Sequence, residues 1–386
     1  MDSPYAPGAG LMPPLLAGRE TVQARSLELL VRTEQFHAPG RSPLILTGVR
    51  GVGKTVSLRA VADEARRRRF IVAAVTATRH STLVDQIAST IAEQIASTKG
   101  MRGDRRWHRW TERLAKMNIE VTVAGVVKLG RTVASRGPTD GRDLLIGVLA
   151  ESATLVHAHD HPGLCLTIDE IQDAAEADLA QLTTAAQQLI DAPLILIGAG
   201  LPQTPERLMA AGSFAERFQY QQLDPLTPPE AAAALLIPAQ HAGVFWDQPA
   251  ADLVLNQSQG SPYLVQMYGD AAWRHANPAA GGRITYLHAQ AGLISARHEL
   301  HTGLFRGRWN RATPAEQDFM TAMSSAAAPD GTAAIADIAT ALSKPQNQIS
   351  YLRSRLLDKG LIASPHRGRL AFTMTGFNEF VTEQST

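Results

Sequence analysis

Residues 48–55 read Gly-Val-Arg-Gly-Val-Gly-Lys-Thr, and no other stretch constrains the fold of this chain as tightly. Pro43-Leu44-Ile45-Leu46-Thr47 before it is a short apolar run of the kind that forms a buried strand. Val56 to Arg66 after it sets Leu58, Val61, Ala62 and Ala65 on one face of a helix. Strand, glycine-rich turn and helix start, in that order, make a cradle for phosphate. Main-chain N–H groups converge on anionic oxygens, and the helix N-terminus adds its positive dipole end. Gly48, Gly51 and Gly53 allow the backbone to turn and approach with no Cβ in the way. The candidate phosphate-binding set is therefore Gly48, Val49, Arg50, Gly51, Val52, Gly53, Lys54, Thr55 and Val56. Within it Lys54 supplies charge to the terminal phosphates, and the Thr55 hydroxyl suits Mg²⁺.

From Ser42 to about Leu223, apolar runs at 43–47, 70–76, 163–168, 193–199 and 219–223 alternate with helical stretches. The helical stretches are 55–68, 82–97, 143–158, 176–191 and 204–211. That alternation predicts an α/β unit: a parallel sheet with helices on both faces. A markedly basic stretch from Lys99 to Arg142 interrupts it and reads as an insertion, with Trp107 and Trp110 near its start. Such a stretch is a solvated segment or a nucleic-acid contact. After Pro228 the strands stop; helices are expected at 228–241, 248–257 and 262–276, with a break at 278–282 and a linking helix at 285–300. The expected organisation is a flexible N-terminal arm (1–14), a core (15–227, insertion about 99–142), a small helical lid and linker (228–300) and a C-terminal domain (301–386).

Composition narrows the setting. The 386 residues suggest two or three domains, and 45% hydrophobic residues suffice for large cores. The net charge of +1 means that any affinity for nucleic acid comes from local patches. A lone cysteine, Cys165, forms no internal disulfide and no zinc cluster, which fits a reducing cytoplasm. Met1 to Pro14 lacks the basic and apolar regions of a signal peptide, and no apolar run approaches the roughly 18 residues needed to span a bilayer.

A second motif gives the phosphate loop a partner. Gly163-Leu164-Cys165-Leu166-Thr167-Ile168 is an apolar strand that ends in Asp169-Glu170. Acids at the carboxyl end of a strand stand where ligands bind in open α/β sheets. Asp169 would hold Mg²⁺, directly or through water, and Glu170 would orient and deprotonate an attacking water. Asp169-Glu170-Ile171-Gln172 resembles the Walker B segment of AAA+ and allied P-loop ATPases, near the origin-initiator and transposition-regulator branches. Leu16-Ala17-Gly18-Arg19-Glu20 is similar to the Gly-Arg-Glu box of these proteins, and the resemblance implies that Arg19 lies close to the adenine. Gly260-Ser261-Pro262 resembles the Gly-x-Pro element of their lid, which implies that Pro262 packs against the base. Phe214-Ala215-Glu216-Arg217-Phe218 resembles the segment that carries an arginine finger, which implies that Arg217 reaches a neighbouring subunit's γ-phosphate. From the residues alone, Arg19 can equally anchor the N-terminal segment, Pro262 can simply start a helix, and Arg217 can be a surface pairing residue. The matches run from about 15 to 275. One departure is plain: the fourth core strand exits through Gly198-Ala199-Gly200, with no polar sensor residue, and Gln203 is the nearest substitute.

Residues 313–386 read as a winged helix. Helices are expected at 314–323 and 334–341, and Ser343-Lys344-Pro345-Gln346 carries a capping-box signature for a third. That third helix sets Ile349, Leu352 and Leu356 on one face, and Asn347, Ser350, Tyr351 and Ser354 on the other, flanked by Arg353 and Arg355. Gly360 would end it, and 361–363 with 369–373 would form a hairpin wing. Such a helix fits a major groove, so Asn347, Ser350, Tyr351, Arg353, Arg355, Arg367 and Arg369 are the candidate contacts with double-stranded DNA.

The reading as a whole is a P-loop NTPase core, a helical lid and a winged helix. It is expected to bind ATP and hydrolyse it to ADP with Mg²⁺, to act on or with DNA, to form homo-oligomers with ATP, and to engage a partner protein. Lys54, Glu170 and Arg217 are the candidate catalytic residues, Thr55 and Asp169 the metal ligands. The rival is a STAND-like signalling switch, in which the winged helix makes protein contacts.

Overall fold

Leu44–Thr47 is buried at all four positions, without the alternation of a strand that faces water on one side. In the computed structural model this segment is a central strand, β1. The structure describes residues 1–39, 41–79, 81–98, 100–101, 107–108, 110–111, 121–123, 127–129 and 141–384. Most of the basic insertion lies outside the described residues; of it, Val121–Val123 (β3) and Val127–Leu129 (β4) pair antiparallel.

The chain divides into two compact units: residues 20–47 with 54–222, and residues 1–19 with 48–53 and 223–386. The first holds a five-stranded sheet in the order β2-β5-β6-β1-β7, where β2 is Ile71–Thr76, β5 Leu164–Asp169, β6 Leu194–Gly200 and β7 Gln219–Gln222. Every pairing is parallel. Burial follows position. β6 is buried throughout and β5 at all but Asp169, whereas edge strand β7 has no buried residue. Helices Lys54–Arg67, Leu83–Ser97, Gly141–His157, Glu176–Gln188 and Thr204–Ala211 connect the strands. Trp107 and Trp110, stacked with ring centroids 5.2 Å apart, join the core of this unit. The connection after β1 runs towards β2 and that after its neighbour β6 runs the other way, to β7, so the carboxyl ends of β1 and β6 flank the switch point at which such sheets bind ligands.

The second unit corrects several expectations. Its first residues are not a flexible arm: Tyr5 is buried, its hydroxyl donates to the Leu235 carbonyl (2.6 Å), and Trp246 Nε1–H donates to that hydroxyl (2.9 Å). A large amphipathic ring with both polar valences met outweighs the Pro/Gly bias around it. Helices Pro228–His241, Gln248–Ser258 and Pro262–Ala276 fall where the pattern put them. The strands do not stop at 228, for Phe245–Trp246 (β8) pairs with Arg283–Ile284 (β9). Nor does the chain break at 300. Helix Tyr286–Leu300 runs through a π-helical turn, His301–Phe305, into Arg306–Trp309. Phe305 in that turn is buried against Phe377 and Phe380.

Beyond it the order is Pro314–Ser325, β10 (Thr332–Ala334), Ile335–Ala341, Gln346–Asp358, β11 (Ile362–His366) and β12 (Arg369–Phe372). The strands form an antiparallel sheet β10-β12-β11, which completes a winged helix. β10 and the closing helix Phe377–Glu383 escaped the sequence reading. The capping box at Ser343 is absent. Ser343 has φ +53, and the helix starts three residues later behind Pro345, whose side chain has nothing to cap with.

Candidate functional site

The loop belongs with the second unit. Gly51 and Gly53 have φ of +79 and +98, a region costly for any side chain, which is why the motif needs glycine there. The Gly51 carbonyl accepts from Tyr263 N–H (3.4 Å), and a Cβ at Gly51 would stand 3.3 Å from that of Tyr263. The Gly-Ser-Pro element is therefore beside the loop. Pro262 itself takes the first turn of its helix, behind the Ser261 N-cap. Arg50 N–H donates to the Thr373 carbonyl at the end of β12 (3.0 Å), which ties the loop to the winged helix.

Arg19 is buried, at 5% exposure. Its Nη1 donates to the Gly18 carbonyl (2.7 Å), and its Nη2 to the carbonyls of Val52 (2.7 Å) and Asp224 (3.0 Å). The charge is felt by Glu230, whose carboxyl is held below its ordinary value mainly by bonds from Thr227 and further by Arg19.

The acids lie in the first unit, with Lys54 and Thr55. Lys54 and Thr55 open helix Lys54–Arg67, and Lys54 is buried. Thr55 Oγ1 donates to Asp169 Oδ2 (2.6 Å), and Asp169 Oδ1 accepts Glu170 N–H (2.9 Å). Glu170 sits in the left-handed region at φ 49, ψ 39, an unusual conformation for a residue with a side chain. Gln172 Nε2 donates to Glu170 Oε2, while its Oε1 accepts Leu201 N–H just beyond β6 (3.1 Å). Gln172 is a residue that sequence reasoning missed. Its signal was its place two residues after Glu170. A Cβ at Gly200 would meet Thr204 Oγ1 first and would stand 2.8 Å from Gln172 Oε1, so two buried polar side chains crowd the end of β6. Gln203 instead precedes the next helix as its N-cap. Cys165 is fully buried, with its thiol pushed up to about 12 by burial, and is inert.

Arg217 is not brought to these acids. It ends the turn Ser213–Arg217, its guanidinium 5.6 Å from the Phe214 ring centroid. β7 follows at Gln219, opposite Leu44, the first residue of β1, so Arg217 stands at the amino ends of these strands. There it lines an open groove with Arg25, Arg41 and Tyr220.

In the winged helix, Asn347, Ser350, Tyr351 and Arg367 are exposed, and Arg353 is half-exposed. Other cations are engaged internally. Arg355 Nε lies 2.9 Å from the buried Glu316 carboxylate, and its guanidinium lies over the Tyr351 ring. Lys359 Nζ lies 2.5 Å from the other Glu316 oxygen. Arg369 donates to Thr332 Oγ1 (2.6 Å). Burial pushes the Glu316 pKa up, but hydrogen bonds from Lys359 and Thr313 outweigh it and hold the carboxyl below the usual range.

The chain is similar to known proteins. Residues 15–197 match the AAA ATPase domain family. The match takes in the glycine-rich loop and the Asp169-Glu170 pair. Residues 302–381 match a domain of unknown function, DUF8462. No curated protein matches the chain. The Walker-type ATPase PABY2304 of Pyrococcus abyssi superposes with TM-score 0.59 at 14% identity, over 95% of this chain and 96% of that one. The Aeropyrum pernix ORC2 protein, solved as ADPNP and ADP complexes, gives 0.57 at 13% identity, over 97% and 95%. These likenesses show a shared fold. Among the described residues no helix is long and apolar enough to cross a membrane.

Proposed function

We propose that this AAA ATPase domain binds ATP with Mg²⁺ and hydrolyses it, with the winged helix carrying the nucleotide state to DNA. The observation that supports it most is the 2.6 Å contact of Thr55 with Asp169, which joins the end of the phosphate motif to the acid-bearing strand. A hydroxyl and a carboxylate at that distance are hard oxygen donors of the kind Mg²⁺ takes. Phosphate oxygens and water would complete such a site. Magnesium, when bound, supplies charge against the β- and γ-phosphates.

The chain's own residues do the rest. Loop amides and Lys54 bind the phosphates. Glu170, oriented by Gln172, takes a proton from the attacking water. Arg217, remote from its own acids, acts in a neighbouring copy, so turnover depends on assembly. Glu170→Gln is expected to bind ATP and turn it over about 10²–10⁴-fold more slowly; unchanged turnover removes Glu170 from the role of base.

The DNA contacts we propose are Asn347, Ser350, Tyr351, Arg353 and Arg367, with Arg355 and Arg369 as supports for the domain. The bond from Arg50 to Thr373 favours a second reading, in which the winged helix locks the loop and serves an ATP-dependent switch. Binding to duplex DNA over a salt series separates them. A DNA-acting ATPase loses affinity steeply as salt rises. A switch shows no DNA binding and changes oligomeric state with nucleotide.

A further inference from the structure

The phosphate loop has one main-chain carbonyl that a buried cation holds. Val52 C=O accepts from Arg19 Nη2 at 2.7 Å, and Arg19 is 5% exposed. No cis peptide is present, so the Val52–Gly53 unit is trans. In a trans peptide the C=O of one residue and the N–H of the next point in opposite directions. Fixing the Val52 carbonyl on Arg19 therefore fixes the Gly53 N–H to point away from it.

The mount is rigid. The same guanidinium is held by the carbonyls of Gly18 and Asp224. Gly18 has φ +66, and a Cβ there would stand 2.7 Å from the Glu230 carboxyl carbon, so the backbone that carries Arg19 is itself confined. A Cβ at Gly53 would lie 3.8 Å from Arg19 Nε, so the loop rests against the side chain it is bonded to. A mere anchor of the N-terminal segment needs the bond to Asp224; the bond to Val52 adds control of one loop amide. A planar fork with several donors suits a task in which carbonyls from three separate stretches are gathered at once.

We infer that Arg19 is a positioning residue for the phosphate loop, which aims the Gly53 N–H at the polyphosphate and makes no contact with the base. This rests on the ATP-binding reading above, and deepens it. It also differs from what the Gly-Arg-Glu resemblance implies, which is a place beside the adenine.

The two roles separate with a ligand that has no base. Calorimetry with Mg-ATP and with magnesium tripolyphosphate is run on the full-length wild type, Arg19→Ala and Arg19→Lys. Positioning predicts that Arg19→Ala weakens both ligands by the same factor, about 10- to 100-fold. Arg19→Lys, whose single ammonium serves fewer carbonyls, weakens both equally and by less. Guanidinium ion at millimolar concentration restores part of the affinity of Arg19→Ala. Should Arg19→Ala not fold, the equality of the two losses in Arg19→Lys carries the test. Loss of ATP affinity with tripolyphosphate unaffected overturns the inference and returns Arg19 to the base. Unchanged affinity for both, with only a lower melting temperature, also overturns it. A wild type that binds neither ligand overturns the ATP-binding reading itself, and this inference with it.

Discussion

The acids after β5 and the cations of the Gln346–Asp358 helix are handled in opposite ways. Asp169 and Glu170 are half-buried and receive bonds from neutral donors: the hydroxyl of Thr55 and the amide of Gln172. A dipole orients a carboxylate without itself cancelling the charge. Arg355 and Lys359 instead share a buried carboxylate, Glu316. An ion pair cancels charge and turns both side chains towards stability. Charged residues of similar appearance in the sequence thus divide by the kind of partner they meet.

The contrast can be broken at either end. The largest effect is expected at Glu316→Ala. It strands two cations that are only partly exposed, and should lower stability by about 2 kcal/mol, seen as a lower denaturant midpoint. If stability is unchanged, the pair is no more than a surface contact. The same carboxylate sets a pH dependence. Its folded pKa is held down, so its contribution is present above the ordinary glutamate value of 4.5 and is lost as pH falls through the depressed folded value. Glu316→Gln should flatten that acid limb of the melting profile.

Gln172→Ala sharpens the acid side. Losing the amide frees the Glu170 carboxylate to rotate, and turnover at saturating ATP should fall about tenfold while ATP affinity holds. A fall in affinity alone would place Gln172 with binding, not with the base.

The smallest effects should come from paired substitutions on the winged helix. Arg353→Ala should weaken duplex binding and lower the salt slope by about one unit. Arg355→Ala should lower the denaturant midpoint slightly, with little change in the salt slope. Equal effects on DNA from both would mean that the bond to Glu316 opens on binding.

Much of the fold was legible because it rests on local pattern. The five apolar runs gave the sheet strands to within a residue or two, and the lid helices fell where their spacing put them. What failed depends on tertiary partners. Nothing local in Met1 to Pro14 says that Tyr5 meets Leu235 and Trp246. β10 is three residues, Thr-Ala-Ala, and depends on β12 beside it. At the candidate site, the motif marked Lys54, Thr55, Asp169 and Glu170, but not the hold of Gln172 on Glu170, since two residues apart in sequence says nothing of where an amide points. The partners of Arg355 and Arg369, Glu316 and Thr332, were hidden too, because the sequence shows a charge and not what it meets.

Calorimetry of Mg-ATP with the wild type and Lys54→Ala tests the central claim most directly. Saturable binding of about one nucleotide per chain by the wild type, abolished in a folded Lys54→Ala, is the expected result. Equal binding by both, or by neither, contradicts the assignment of residues 48–55 to phosphate.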